Sequence, residues 1–200
     1  MTSETSGHVG SEERMRALRV VAFVLSASAF ALGCAGARGS TSSAMGARTL
    51  PAALALPADE VQAFELRARG SQNYECRESS SAPPAWQWVF VAPEAELLDG
   101  AGRPVGKHYA GPTWESAADG SKVVGKVAAR ADAPDPEAIP WLLLKAVDVS
   151  SAGMFAGVKS VQRLDTAGGK APAGGCDAGS AGQVTKVPYT AVYSFSRAVP

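Results

Sequence analysis

The feature that most constrains the fold is a series of short segments in which apolar and polar residues alternate. In Phe64-Glu65-Leu66-Arg67-Ala68-Arg69 every second residue is apolar, and in Trp86-Gln87-Trp88-Val89-Phe90-Val91 the aromatic residues recur with the same period. A period of two places alternate side chains on opposite faces of a β-strand, whereas an amphipathic helix needs a period near 3.6. These segments therefore predict strands with one buried face.

Similar segments recur along the rest of the chain. Further strands are expected at residues 105–109, 122–129, 141–149, 155–164 and 189–195. A turn is predicted at Gly70-Ser71, between the strand at 64–69 and a second one around Tyr74 and Cys76. Glycine-containing turns, including the long segment 167–182, separate the other strands.

Helical segments are scarce, because Pro140 follows closely on the one helix start, Asp135-Pro136-Glu137. Many short alternating strands with Gly and Pro turns are typical of an all-β domain. We predict a single-domain sandwich or barrel of roughly eight short, mostly antiparallel strands over residues 54–200.

Residues 1–33 have the composition of a signal peptide. The basic residues Arg16 and Arg19 precede an apolar run from Val20 to Leu32. The run is shorter than the roughly 20 apolar residues that a spanning helix needs. Met15 lies directly before the basic residues and is an alternative start. We expect an exported protein.

The apolar run ends in Ala31-Leu32-Gly33-Cys34, which resembles the bacterial lipobox, although the large aliphatic residue lies one place later than usual. In a lipobox the cysteine is lipidated and becomes the first mature residue. Residues 34–53 would then be a lipidated flexible tether, rich in Ala, Gly, Ser and Thr. We expect a membrane-anchored lipoprotein of the cell envelope whose only membrane contact is the lipid. The alternative is cleavage after Ala29-Phe30-Ala31 and a secreted soluble protein.

Cysteine content agrees with the lipoprotein hypothesis. The chain has three cysteines, so lipidation of Cys34 leaves Cys76 and Cys176 as a pair. In an oxidising compartment such a pair usually becomes a structural disulfide. It would close a loop of roughly 100 residues, for which loop entropy allows about 4 to 5 kcal/mol. As a metal site the pair is poor, because neither cysteine has a third soft ligand beside it.

Several function classes find no support. The formal net charge is zero, with 19 basic and 19 acidic residues, and no basic face for nucleic acid is visible. His8 lies in the signal segment, so His108 is the one histidine of the mature chain, which excludes multi-histidine metal sites. No Gly-x-Ser-x-Gly elbow is present. We expect neither a metal nor a cofactor, and no nucleic-acid partner.

The segment GKHYAGPTWES, residues 106–116, concentrates the groups that could bind a ligand: His108, Tyr109, Trp114 and Glu115. Aromatic faces beside an imidazole and a carboxylate can stack on a small planar molecule or a glycan and hydrogen-bond its edge. The alternative interpretation is a structural corner. In that case Gly111-Pro112 turns the chain, Tyr109 and Trp114 fill the end of the core, and His108 donates to a backbone carbonyl.

A set of ordered blocks resembles a known family. The blocks are GSQNYEC (70–76), WVFVAPEA (88–95), HYAGPTW (108–114), DGS (119–121), IPWLLLK (139–145) and VQRL (161–164). They resemble exported bacterial and fungal proteins catalogued as a domain of unknown function (three-four-five-five), and the likeness covers roughly residues 54 to 195. Some fungal members are labelled malate dehydrogenase, but the chain has no Gly-x-Gly-x-x-Gly turn for a dinucleotide. The resemblance implies a fold and a compartment, and no activity.

From these observations we expect a binding or envelope-associated module with a small-molecule or glycan ligand. The alternative is a weak hydrolase of carbohydrate or ester substrates. It would use His108 with nearby carboxylates, which are Glu75, Glu94, Glu115 and Asp119.

Overall fold

The computed structural model describes residues 48–81 and 83–200, which form one antiparallel sheet closed into a barrel. Each strand pairs with the next, and the last pairs with the first. The strands are β1 (Glu60–Glu78), β2 (Trp86–Leu98), β3 (Pro104–Tyr109), β4 (Thr113–Ser116), β5 (Lys122–Ala131), β6 (Trp141–Val149), β7 (Val158–Gly168) and β8 (Val184–Ala198). The predicted all-β class with eight antiparallel strands is confirmed. Of the two predicted architectures, sandwich and barrel, the structure has the barrel.

Two 3-10 helices, Ala52–Leu54 and Ala178–Ser180, accompany the strands. None of the helices formed by residues 48–81 and 83–200 has the length and apolarity required to span a bilayer. The predicted signal peptide and the lipidation site Cys34 lie outside the described residues.

The prediction of a turn at Gly70-Ser71 is wrong, because β1 runs without a break for 19 residues. Gly70 pairs with Ala95 on one side and Tyr189 on the other. A Cβ atom at this position would lie 2.0 Å from the carbonyl oxygen of Glu94. The glycine therefore permits a close approach of two strands rather than a change of direction.

Aromatic side chains fill one end of the barrel. Phe64 stacks on Phe195 with ring centroids 4.8 Å apart, and Phe155 lies 5.1 Å from Phe195. Phe155 belongs to the β6–β7 connection and is fully buried. Polar groups, including the buried Gln72 and His108, lie further along the interior. The barrel thus has one tightly filled end and one more polar region.

A second, smaller cluster lies on the other face of the sheet. Leu54 packs there with Trp141, Leu143 and Leu164, and Gln162 donates a hydrogen bond to the Leu54 carbonyl. The interior side chains Leu144 and Val161 belong to the main core and alternate with these residues. The segment before β1 therefore covers the outside of the barrel.

The sequence predicts that the folded domain starts at residue 54, but the contacts of this segment begin earlier in the chain. Arg48 forms salt bridges with Glu65 and Asp165. These pairs attach the chain to β1 and β7.

The predicted disulfide is present. Cys76 is bonded to Cys176, with Cα atoms 5.4 Å apart and a sequence separation of 100 residues. It joins the end of β1 to the glycine-rich segment between β7 and β8, and Trp88 donates a hydrogen bond to the carbonyl of Gly174 nearby. This long connection is thereby fixed against the start of β2.

Candidate functional site

The β3–β4 hairpin separates the four predicted ligand residues into two pairs. His108 is opposite Trp114, and Tyr109 is opposite Thr113 in the next register position. Because neighbouring residues of a strand point to opposite faces, His108 and Trp114 project into the barrel while Tyr109 and Glu115 project outward. The four side chains do not converge on one surface.

The outward pair belongs to a network of charged groups. The Tyr109 hydroxyl donates to a Glu115 oxygen at 2.7 Å, and Lys107 and Lys122 each place an ammonium 3.3 Å from that carboxylate. The hydrogen bond from Tyr109, followed by those from the lysines, lowers the pKa of Glu115. The carboxylate is therefore ionised and already has partners.

The inward pair is buried. The His108 ring stacks on the Trp114 indole with centroids 4.5 Å apart, and Trp114 has no exposed surface. His108 Nδ1 donates to the Thr113 carbonyl at 2.9 Å, because a carbonyl can only accept. These two residues have the contacts expected of the structural corner, whereas Tyr109 lies outside the core.

Burial fixes the protonation state of His108. It lowers the pKa of the imidazole to about 3, against the opposing effect of the Thr113 hydrogen bond. The ring is therefore neutral at pH 7. With the proton on Nδ1, the lone pair of Nε2 remains an acceptor.

His108 and Trp114 form part of the wall of an interior cavity of about 170 Å³. Most of its lining is apolar: Phe90, Val91, Pro93, Gly111, Pro112, Trp114, Val127, Leu142 and Leu144. Phe90, Val91 and Val127 are 49%, 47% and 51% exposed. Since half-exposed residues form one side of the cavity, it communicates with solvent there.

Four polar side chains also line this cavity: Gln72, His108, Arg163 and Tyr193. Arg163 lies opposite Tyr193 on the neighbouring strand, and its Nε and Nη2 donate to the Pro140 carbonyl at 3.1 and 2.8 Å. None of the salt bridges found within residues 48–81 and 83–200 includes Arg163. The cavity wall thus carries a cation that has no carboxylate beside it.

Two residues of this wall also carry a buried donor that lacks a partner among the described residues. The amide nitrogen of Gln72 and the indole nitrogen of Trp114 are buried and make no hydrogen bond. A buried donor without an acceptor costs about 1 to 3 kcal/mol.

The sequence did not single out Gln72, Arg163 or Tyr193 as site residues. The available signal was the alternation in Val161-Gln162-Arg163-Leu164, which gives Val161 and Arg163 the same face of β7. Val161 is fully buried, and an arginine beside it is unusual on an interior face. Only the closed barrel shows that this face is the interior one.

The other predicted carboxylates lie elsewhere. Glu75 pairs with Arg77, and Glu94 pairs with Lys186. Asp119 accepts hydrogen bonds from Ser121 and from the Met154 amide, and the bonds from Ser121 are the first cause of its lowered pKa. Within residues 48–81 and 83–200, no carboxylate lines the interior cavity, so none of these residues gives His108 an acid-base partner there.

A larger, shallow depression of about 690 Å³ lies across the outer face of β1, β2 and β3. Its charged walls include Arg69 and Glu96, which form an exposed salt bridge at 3.2 Å. Groups that satisfy one another in water give little affinity for a ligand. The interior cavity, with its unpaired donors, is the stronger candidate site despite its smaller size.

The described residues contain no group of three or more His, Cys, Asp or Glu side chains arranged to hold a metal ion. The comparison with curated proteins and the comparison with solved structures each give no match. The family model that matches is described as a protein of unknown function, DUF3455, and it covers residues 57–197. This range contains all eight strands except the last residue of β8. The chain therefore belongs to the DUF3455 family of proteins of unknown function.

Proposed function

We propose that this protein is an exported binding module whose barrel takes up a small, largely apolar molecule. The observation that carries the proposal is the interior cavity bounded by Trp114, Leu142 and Leu144 and open beside Phe90 and Val91. Apolar surface with a few fixed polar groups is typical of small-molecule sites. Its lining offers too few hydrogen-bonding groups for a glycan, so we do not extend the proposal to sugars.

The size of the cavity limits the ligand. Its volume of about 170 Å³ is close to that of engineered cavities of about 150 Å³ that bind benzene. One aromatic ring, or an aliphatic group of similar volume, would therefore fill it. A larger ligand would extend past the half-exposed Phe90 and Val91.

The proposal includes the compartment. The signal-peptide-like composition of residues 1–33 and the lipobox-like sequence that ends at Cys34 support export and lipid anchoring. A structural disulfide between Cys76 and Cys176 is typical of proteins from oxidising compartments. A lipid-anchored barrel would present its cavity to small molecules at the cell envelope. A secreted soluble form remains the alternative.

Calorimetric titration of the purified full chain with 2-phenylethanol tests the binding proposal. This neutral probe has one aromatic ring, and a fragment of this size is expected to bind with a Kd of about 1 mM. Val127→Trp should remove binding, because it places an indole at the opening of the cavity. Val147→Trp is the matched control: Val147 is 60% exposed and does not line the cavity.

Saturable binding to the wild-type chain and to Val147→Trp, and its loss in Val127→Trp, would support the proposal. Binding that survives unchanged in Val127→Trp would place the probe elsewhere. No heat of binding to the wild-type chain would also count against the proposal.

A further inference from the structure

We infer that the molecule bound in the interior cavity is a carboxylic acid, held as its carboxylate by Arg163. This inference rests on the proposed function and goes beyond it, because it assigns the ligand a charge and Arg163 a role. It follows from the charges at the cavity wall, the unpaired donors beside them and the space available.

Among the described residues that line the cavity, Arg163 supplies the only formal charge. A guanidinium stays protonated in proteins, and a desolvated charge without a counter-ion is unfavourable even with an uncharged group such as the Tyr193 hydroxyl beside it. Its two hydrogen bonds to the Pro140 carbonyl satisfy part of the group and leave other N–H donors. A ligand anion would provide the missing negative charge.

The neighbouring polar groups favour an acceptor. His108 is neutral, with Nδ1 engaged by Thr113, so it adds no second cation. The amide nitrogen of Gln72 and the indole nitrogen of Trp114 are donors without partners. A ligand that brings only donors could pair with His108 Nε2, but it would leave the guanidinium without an acceptor. The guanidinium of Arg163 therefore favours a molecule with acceptor oxygens and one negative charge.

The choice among anions follows from charge and volume. A phosphate monoester carries close to two negative charges at neutral pH, and one arginine offsets only part of that. A carboxylate carries a single charge and matches the fork of a guanidinium with two parallel hydrogen bonds. In a cavity of about 170 Å³, the apolar part would be an aromatic ring or a short aliphatic chain.

Phenylacetate and 2-phenylethanol are a matched pair of probes that differ in the charge of the head group. We would measure the Kd of both by calorimetry on the full chain, with wild-type Arg163, with Arg163→Lys and with Arg163→Met. For the wild-type chain we expect phenylacetate to bind at least about tenfold more tightly, the range typical of a charged hydrogen-bonded contact. Arg163→Lys should keep part of this preference, and Arg163→Met should abolish it, so that the Kd values of the two probes become similar.

Equal affinity of the two probes for the wild-type chain would overturn the carboxylate inference and leave the proposed function standing. A preference for phenylacetate that persists in Arg163→Met would overturn the role of Arg163. Failure of both probes to bind would overturn the proposed function and this inference with it. Should Arg163→Met fail to fold, the wild-type chain and Arg163→Lys provide the test. A preference for phenylacetate in the wild-type chain that is reduced in Arg163→Lys would support the inference. Equal affinities of the two probes for the wild-type chain would overturn it.

Discussion

The imidazole of His108 lies nearly parallel to the indole of Trp114, with an interplanar angle of 14° and centroids 4.5 Å apart. The two residues are opposite each other on adjacent strands. Tyr193 comes from the far end of the sequence and contacts both rings. Its ring centroid lies 4.9 Å from that of His108 and 5.2 Å from that of Trp114. This group of three rings is at once part of the core and part of the cavity wall, so its variants report on stability and binding together.

Replacing Trp114 with alanine should destabilise the barrel strongly. The side chain is fully buried, and removal of a buried tryptophan costs about 3 to 5 kcal/mol through lost burial and a new cavity. Urea denaturation measures the free energy of unfolding. Trp86→Ala is the matched control, because Trp86 is only partly buried at the start of β2. This variant should lose much less free energy of unfolding than Trp114→Ala. Similar losses in the two variants would contradict the core placement of Trp114.

Stability should fall as the pH is lowered from 7 to 5.5 because of His108. Its pKa is lowered to about 3 in the folded chain by burial, against about 6.5 when unfolded. Between these values the unfolded state binds more protons, so stability rises with pH and is fully present above the unfolded pKa. The expected loss between pH 7 and pH 5.5 is about 1 kcal/mol.

The matched variant for this effect is His108→Gln, which has a neutral donor and does not titrate in this range. Urea denaturation at several pH values should show a flatter profile for His108→Gln than for the wild-type chain. Glu115 and Asp119 are carboxylates with lowered pKa values. Their contribution to the free energy of unfolding is lost mainly below pH 5.5, outside the range in which His108 acts. Parallel profiles for the two proteins would show that His108 is not a buried neutral imidazole.

Gly70→Ala should destabilise the barrel even though alanine is small. The added Cβ would overlap the Glu94 carbonyl oxygen at 2.0 Å, so the strands β1 and β2 must shift. We expect a loss of about 1 to 3 kcal/mol, the usual cost of overpacking. At Gly174 an added Cβ meets nothing within 4 Å, so Gly174→Ala should be close to neutral. Thermal melts of the two variants and the wild-type chain measure these changes. Equal stability of the two variants would contradict the close approach of these strands.

Removing the disulfide with Cys76→Ser and Cys176→Ser together should lower the free energy of unfolding by at most about 4 to 5 kcal/mol, the loop-entropy value for a separation of 100 residues. Urea denaturation of the double variant against the oxidised parent measures the loss. Peptide mapping under non-reducing conditions provides the control. Finding both thiols free in exported protein would contradict the pairing.

Cys34→Ser should move the protein from the membrane to the soluble exported fraction, because no other lipidation site is proposed. Fractionation followed by mass spectrometry of the N-terminal peptide measures the change. Ser42→Ala is a suitable control, since it changes the predicted tether without touching the lipobox-like sequence or the disulfide. Unchanged fractionation of Cys34→Ser, with no acyl chain on the wild-type peptide, would contradict the anchor.

Alternation along the chain was enough to predict the all-β class and most strands, because each strand buries one face. Strand β4, Thr113–Ser116, has only four residues, too few to show a period. Gly70 was misinterpreted because a glycine in a turn and a glycine at a close strand contact have the same local signature. Its role depends on Glu94, a partner 24 positions along the chain.

The site was only partly predictable for a related reason. His108 and Trp114 were singled out for their chemistry, and the hairpin brings them together, but its pleat places Tyr109 and Glu115 on the outside. Arg163 reaches the cavity because β7 is paired with both β6 and β8 in the closed sheet. Closure is a long-range property, which no local pattern around Arg163 encodes.

The most direct test of the cavity as a binding site is the ¹H–¹⁵N spectrum of the four tryptophan indole groups of the full chain during titration with 2-phenylethanol. Trp114→Phe identifies the Trp114 signal, and Trp88, whose indole donates to Gly174 away from the cavity, is the internal reference. We expect the Trp114 signal to move saturably, with half of the change at roughly 1 mM probe, while the Trp88 signal stays in place. A Trp114 signal that does not move at roughly ten times that concentration, or a shift confined to Trp88, would contradict binding in the interior of the barrel.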